Sequence, residues 1–337
     1  PLEEDRQLAY AHAQEALGRL DERMRLSPVR AAFRVRAHVA ERQALAAIDA
    51  VPLHDHDIEI DGRGTVRTST FDLSLGRRSI GTPISLDALA GDAMAVLDWL
   101  GMKPDPMGDG GVVNGPILDD MIARVETWQR AIERWRPSPP LIASAHVAAS
   151  WRSHAPLGRS DLAASLLIGD RWGPGRWNGS HGGLIALGLD TQQSGWRMAR
   201  DAALERLWLD AIRDAAQMLL DLELRLRGFA ARARHFLDSR RRAGRLGDVL
   251  HLAMLRPYVT SAMVARHLQL TSAGAIKLLT IAAEAGLLIE RTGQASYRHY
   301  AIPVAAPPGV PRDGRNPLDR SEPSIWQDDS VPWDWPG

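Results

Sequence analysis

VTSAMVARHLQLTSAGAIKLLTIAAEAGLLIERTGQASYRHYAI, residues 259–302, decides the fold of the carboxyl-terminal part of the chain. Thr260 precedes an apolar-periodic segment holding Met263, Val264 and Leu268, and Thr271 precedes a second segment that runs to Gly286. A hydroxyl before the first helical turn accepts from an otherwise orphaned amide, and a glycine past the last turn takes the left-handed conformation that ends a helix. Two helices are therefore predicted, with only Gln269-Leu270 between them. In the second, Ile276, Leu279 and Ala283 recur at three- and four-residue spacing. They are expected to face a small core and to leave Ser272, Ala273, Lys277 and Thr280 on the opposite side. Leu287-Leu288-Ile289 and residues 296–302 have strand composition and flank a turn at Thr292-Gly293-Gln294, which predicts a hairpin. Helix, tight turn, longer helix and hairpin is the order of a winged helix-turn-helix.

That order makes double-stranded DNA the first partner to consider. Thr271, Ser272, Lys277 and Thr280 are the expected groove residues, and Arg291, Arg298 and His299 on the hairpin are expected to meet phosphate. The groove face is modest, because base edges are usually read by arginine, asparagine or glutamine and none stands on it. Discrimination would then lean on the hairpin, on DNA shape or on a second copy of the module. The competing reading is a packing or dimerisation module that never touches nucleic acid.

Upstream, arginines 225, 227, 232, 234, 240, 241, 242 and 245 face a single acid, Asp238, although the whole chain balances at 41 basic and 41 acidic residues. Such a local concentration draws in a polyanion, so Arg240, Arg241 and Arg242 are expected as flanking phosphate contacts. The alternative is a solvated helix face paired with acids elsewhere. All basic residues except Lys103 and Lys277 are arginine, so arginine abundance alone carries little weight.

At 337 residues and 45% apolar content, the chain can bury a substantial core and divide into two or three domains. It has no cysteine, which excludes disulfides and thiolate metal sites and suits a reducing compartment. The amino terminus lacks a basic region followed by an apolar core, and no apolar run reaches spanning length. A cytoplasmic protein without a membrane partner is expected.

Helix dominates the rest. Segments 3–26 and 28–49 are separated at Ser27-Pro28, and further helices are predicted over 85–101, 116–136, 141–152, 159–169 and, longest, 195–239. In the last, Leu204, Trp208, Ala211, Ala215, Met218 and Leu222 form a stripe broad enough for core, with a dimer seam as the lesser alternative. Residues 51–84 read as a short hairpin or extended loop, Pro137-Ser138-Pro139-Pro140 as a linker, and 172–183 as a glycine- and tryptophan-rich loop. From 303 to 337 the composition turns to proline, acids and Trp326, Trp333 and Trp335, a tail that cannot pack by itself. It is either disordered or a docking peptide for a protein partner.

Motifs for catalysis are weak. His54-Asp55-His56-Asp57 holds four metal-competent side chains, but neighbours on a strand point to opposite faces, so a polar turn is the simpler reading. The glycines of 173–183 offer amides for a phosphate, without the spacing of a phosphate loop. No catalytic residue, metal ligand or cofactor is assigned.

From Leu157 to Ile302, and above all in Arg256-Pro257-Tyr258-Val259-Thr260, Ala285–Gly293 and Tyr297-Arg298-His299-Tyr300, the chain resembles the C-terminal half of Fic-family proteins that carry a winged helix. It is also similar to an uncharacterised group of plasmid-type helix-turn-helix proteins of rhizobia. The Fic resemblance implies AMP transfer through a His-Pro-Phe motif and a glycine-rich nucleotide loop. The matching stretch here is His154-Ala155-Pro156-Leu157-Gly158-Arg159, which lacks the asparagine, one glycine and three loop residues. Removing that many backbone donors from a phosphate cradle implies loss of the transferase activity.

The expected architecture is mainly α: an N-terminal helical domain at 1–136 with the insertion 51–84, a central helical bundle at 141–245, a winged helix-turn-helix at 246–302 and the tail 303–337. The expected function is a DNA-binding transcriptional regulator acting as a homodimer. The alternatives are a divergent nucleotidyl (AMP) transferase centred on His154 and Arg159, and an assembly adaptor docking through the Trp/Asp tail.

Overall fold

The apolar periodicity seen along the chain becomes helix almost throughout, and the fold is mainly α. The computed structural model describes residues 2–48, 50, 53–61, 64–68, 80, 82–102, 115–158, 161–189, 195–240, 244–292 and 298–304. Arg159, Arg241, Arg242, Gly293, Gln294 and the tail from 305 onward lie outside the described residues. The described residues up to 230, with Val304, gather into one unit and those within 231–303 into another.

In the first unit α1 (Leu2–Leu26) and α2 (Arg30–Ile48) pack against each other. Between them Ser27 Oγ accepts from Val29 N at 3.2 Å and donates to the buried carboxylate of Glu223 at 2.5 Å. The 51–84 insertion contributes an antiparallel pair, β1 (Ile58–Ile60) and β2 (Val66–Thr68), with Ile58 opposite Thr68. The helix expected over 85–101 is two, α3 (Leu86–Gly91) and α4 (Ala93–Trp99). They part at Asp92, whose extended backbone lets its carboxylate accept from Ala95 N and cap the second.

α5 (Gly115–Ile132), α6 (Pro140–His154) and α7 (Asp161–Trp172) build the densest part of this unit. Small side chains explain the α6–α7 contact: Ala143, Ser144, Ala145 and Ala148 on one helix and Ala163, Ala164 and Gly169 on the other are buried. Gly169 is required by proximity, because a Cβ there would lie 2.7 Å from the Trp208 ring and 2.9 Å from the Ala148 Cβ. Trp128 and Trp151 meet edge to face at 4.8 Å, and Trp208 Nε1 donates to Ser144 Oγ at 2.8 Å. Short α8 (Leu184–Gly188) and α9 (Gly195–Met198) follow, then the 38-residue α10 (Asp201–Asp238).

The single helix predicted from 195 to 239 is interrupted. Asp201 takes φ +47, which breaks the i→i−4 ladder, while Arg200 Nη1 donates to the carbonyls of Arg197 and Ala199. Along α10, Leu204, Trp208, Ala211, Ile212, Ala215, Leu219, Leu222 and Leu226 are buried.

The glycine-rich loop serves the fold through two carboxylates. Glu41, fully buried on α2, accepts from the amides of His181 and Gly183 at 2.8 and 2.9 Å. Ser180 Oγ donates to Asp170 at 2.7 Å and lies 3.5 Å from Glu41. His38 and His181 stack beside them with ring centroids 5.0 Å apart. Gly183 must be glycine, since a Cβ would sit 2.5 Å from the Glu41 carbonyl oxygen.

Burial, and then the charge of Asp170, push the Glu41 carboxyl up to about 8 from an ordinary 4.5. Burial moves Asp170 up to about 6 and His181 down to about 4. The folded chain therefore holds the Glu41 proton at pH values where the unfolded chain has released it. Stability falls as pH rises from about 7 to 8.5, with a slope below about 1.4 kcal/mol per pH unit; nearer 6.5 the unfolded imidazoles of His38 and His181, both held neutral in the fold, still release protons and oppose the decline. Urea unfolding across this range should show that decline in the intact protein, and Glu41→Gln should flatten it. Gly169→Ala should lower stability by about 1–3 kcal/mol through overpacking against Trp208, read in the same unfolding curves.

Candidate nucleic-acid interface

Three helices and a hairpin form the core of the second unit. α11 (Leu246–Leu255) buries Leu246, Val249, Leu250 and Ala253, α12 (Ser261–Leu268) buries Val264, and α13 (Ser272–Glu284) buries Ala275, Leu279 and Ala282. Thr260 Oγ1 accepts from Met263 N at 3.2 Å, and Thr271 Oγ1 from Gly274 N at 3.1 Å, so both predicted caps are in place. Gln269, at φ +52, ends α12 and donates to the Ala265 carbonyl. Only Leu270 lies between it and Thr271, which makes the turn tight. Gly286, at φ +67, ends α13.

β3 (Ile289–Glu290) pairs antiparallel with β4 (Tyr300–Ala301), and β4 also pairs with Val259, whose amide and carbonyl both bond Tyr300 at 2.8 and 2.9 Å. The hairpin is thereby fastened to the segment that leads into α12. Burial of Tyr300, Ala301 and Ile302 closes the core beneath it.

The outward face of α13 carries Ser272, Ala273, Ile276, Lys277 and Thr280, all exposed. Ile276 was expected in the core with Leu279 and Ala283, and here the structure corrects the sequence. Ile276 is 52% exposed while Ala275, Leu279 and Ala282 are buried, so the helix is rotated by about one residue from the expected setting. Both stripes satisfy a three-and-four spacing. The one with alanines wins because it lets α13 approach its neighbours closely, and the longer isoleucine is left outside. A solvent-facing isoleucine among small and hydroxyl residues is the candidate surface residue that periodicity missed.

Lys277 stands at the edge of that face, where α13 borders a groove of about 340 Å³ lined also by Arg240, Gly244, Arg245, Leu246, Gly274 and Leu278. Arg245 is anchored by Asp248 at 2.9 Å and by the Leu268 carbonyl at 3.2 Å. Arg240 lies over the Phe236 ring at 4.5 Å. On the hairpin, a hydrogen bond that Arg298 donates to Tyr300, and then the charge of Glu290 at 3.5 Å, raise the Arg298 pKa. His299 stacks on Tyr258 at 4.3 Å and is half-buried, as is Arg291, whose amide donates to the His299 carbonyl. Of the expected wing residues, Arg298 is thus the exposed cation.

The other chemistry-bearing motifs settle into local structure. Residues 54–57 form a 3₁₀ turn in which Asp57 accepts from His54 N at 3.0 Å, and His54 and His56 stack at 5.3 Å. No cluster of three metal-competent side chains occurs among the described residues. His154 ends α6 with Nδ1 2.7 Å from the Ser150 carbonyl oxygen. In the loop at 172–183 the amides of His181 and Gly183 bond Glu41, and that of Asn178 bonds Asp21 at 2.9 Å, so these donors are taken by carboxylates of the chain itself.

The family of HTH DNA-binding domains matches residues 246–302, the span from the start of α11 through β4. No curated protein matches the chain. No helix among the described residues is long and apolar enough to cross a membrane. The chain therefore carries a helix-turn-helix DNA-binding domain at its described carboxyl-terminal end.

Because Thr271 is the cap and Ser272 the first helical residue, their truncations should separate. Thr271→Ala should cost about 1 kcal/mol of stability in urea unfolding, whereas Ser272→Ala should change it by less than about 0.5 kcal/mol.

Proposed function

We propose that the protein is a transcriptional regulator that binds duplex DNA through a winged helix-turn-helix, with α13 in the major groove and the β3–β4 hairpin as a wing against the backbone. The observation that supports this best is the exposed outward face of α13 within the matched domain. Ser272, Ala273, Ile276 and Thr280 would approach base edges, with Ile276 offering the apolar contact that a thymine methyl favours. Thr271 acts through helix placement, since its hydroxyl is committed to Gly274 N. Arg298 exchanges Glu290 for phosphate, Arg291 and His299 support it, and Arg240 with Arg241 and Arg242 flanks the site.

A reading face with so few hydrogen-bonding side chains gives limited discrimination per copy. We therefore propose a homodimer, in which two half-sites double the readout. The helical body at 1–136 and bundle at 141–245 would hold the pair together and carry regulation.

Genome-wide occupancy by the intact protein tests this reading. Discrete sites are expected, with occupancy that falls steeply as salt rises. Arg298→Ala should weaken binding to all sequences alike. Ile276→Ala should relax preference at a single thymine-bearing position by several-fold. Featureless occupancy for the wild type would leave only electrostatic adhesion.

A further inference from the structure

We propose that Lys277, Arg245 and Arg240 seat a single backbone phosphate in the groove beside α13, so that Lys277 fixes the register of the helix and reads no base. This rests on the DNA-binding reading above and assigns one side chain within it.

Helical geometry gives the first reason. Ala273, Ile276 and Thr280 lie at the centre of the outward face, whereas Lys277 shares its flank with Gly274, Leu278 and Ile281, which line the groove. The lysine therefore leans toward Arg240, Gly244 and Arg245 across the groove, away from the midline that would meet base edges.

Charge gives the second. Among the described residues the groove gathers three cations, and Asp248 pairs with the one on Arg245. Arg245 also bonds the Leu268 carbonyl, and Arg240 lies over the Phe236 ring, so both guanidinium groups have local supports at the groove. Lys277 has no carboxylate partner within ion-pair distance among the described residues. α11 begins at this same place, and Arg245, its N-cap residue, makes no side-chain cap bond. Cations beside the positive end of a helix repel it, a cost that an anion in the groove removes.

Shape gives the third. Gly244 and Gly274 bring backbone without side chains to the groove wall. A tetrahedral phosphate with oxygens on several sides suits three cationic donors that line one groove better than a planar base edge does.

The test uses the full chain and base preferences selected from a random duplex library, with affinity measured across a salt series. Lys277→Ala and Lys277→Gln should weaken binding several-fold on every sequence and leave the base preferences unchanged. Lys277→Ala with Arg245→Ala should lower the slope of log affinity against log salt by about one, and adding Arg240→Ala should lower it little further, because one phosphate is lost. Unfolding curves identify any variant that fails to fold, and Lys277→Gln keeps the aliphatic stem in that case. A preference lost at one base position with the salt slope intact would show Lys277 reading a base and overturn the proposal. A slope that falls by about three in the triple variant would overturn it by showing three separate phosphates. Calorimetric titration with inorganic phosphate in the absence of DNA checks for a small-anion site. Binding there that Lys277→Ala abolishes, with the DNA salt slope unchanged, would also overturn it. A wild-type chain that shifts no duplex fails the underlying reading instead, and does so before any variant is made.

Discussion

The position of α13 depends on a narrow contact: Ala275, Leu279 and Ala282 are all that it buries, and two of the three are alanine. Methyl groups allow the helix to lie close against α11 and α12, but they contribute little burial apiece compared with the leucine between them. The caps at Thr260 and Thr271 and the left-handed Gln269 carry the rest of the placement, because they fix where each helix starts and how sharply the chain turns. A helix held in this way has most of its circumference free. The outward face, the flank on the groove and the approach from the hairpin are all available to a partner at once.

The hairpin shares this economy. β3 and β4 are two residues each, and the pairing of Tyr300 with Val259 ties them to the turn before α12. Hairpin and α13 therefore take their positions from one small core, with Val259, Val264, Leu279 and Ile302 fully buried in it. In the first unit, by contrast, polar groups do the fastening. Glu41 and Asp170 occupy the place that the glycine-rich loop would need for an external anion, and the loop amides close over them.

The features legible in the sequence were those whose chemistry is local. A threonine before an apolar period and a glycine after it mark helix ends whatever the fold, and Thr260, Thr271 and Gly286 behave accordingly. The rotation of α13 was not legible, because Ile276-Leu279-Ala283 and Ala275-Leu279-Ala282 fit the helical period equally well. Only the neighbours across the core choose between them, and they lie on other elements. The break at Asp201 was hidden for a related reason, since aspartate marks no interruption unless the backbone is forced left-handed. The partner of the loop at 172–183 is Glu41, some 140 positions earlier, a separation at which a single sequence gives no signal. Arg245 looked like one arginine among eight, and its place on the groove follows from α11 and α13 meeting there.

The midline of the outward face of α13 holds no formal charge; its one cation stands at the edge. On the proposed assignment, counterions released on binding come from the flanks and the wing, which contact every sequence in the same way. A change in ionic strength then scales favourable and unfavourable sites by a common factor. How much of the genome the protein covers would vary with cellular potassium, while the ranking of its targets would not.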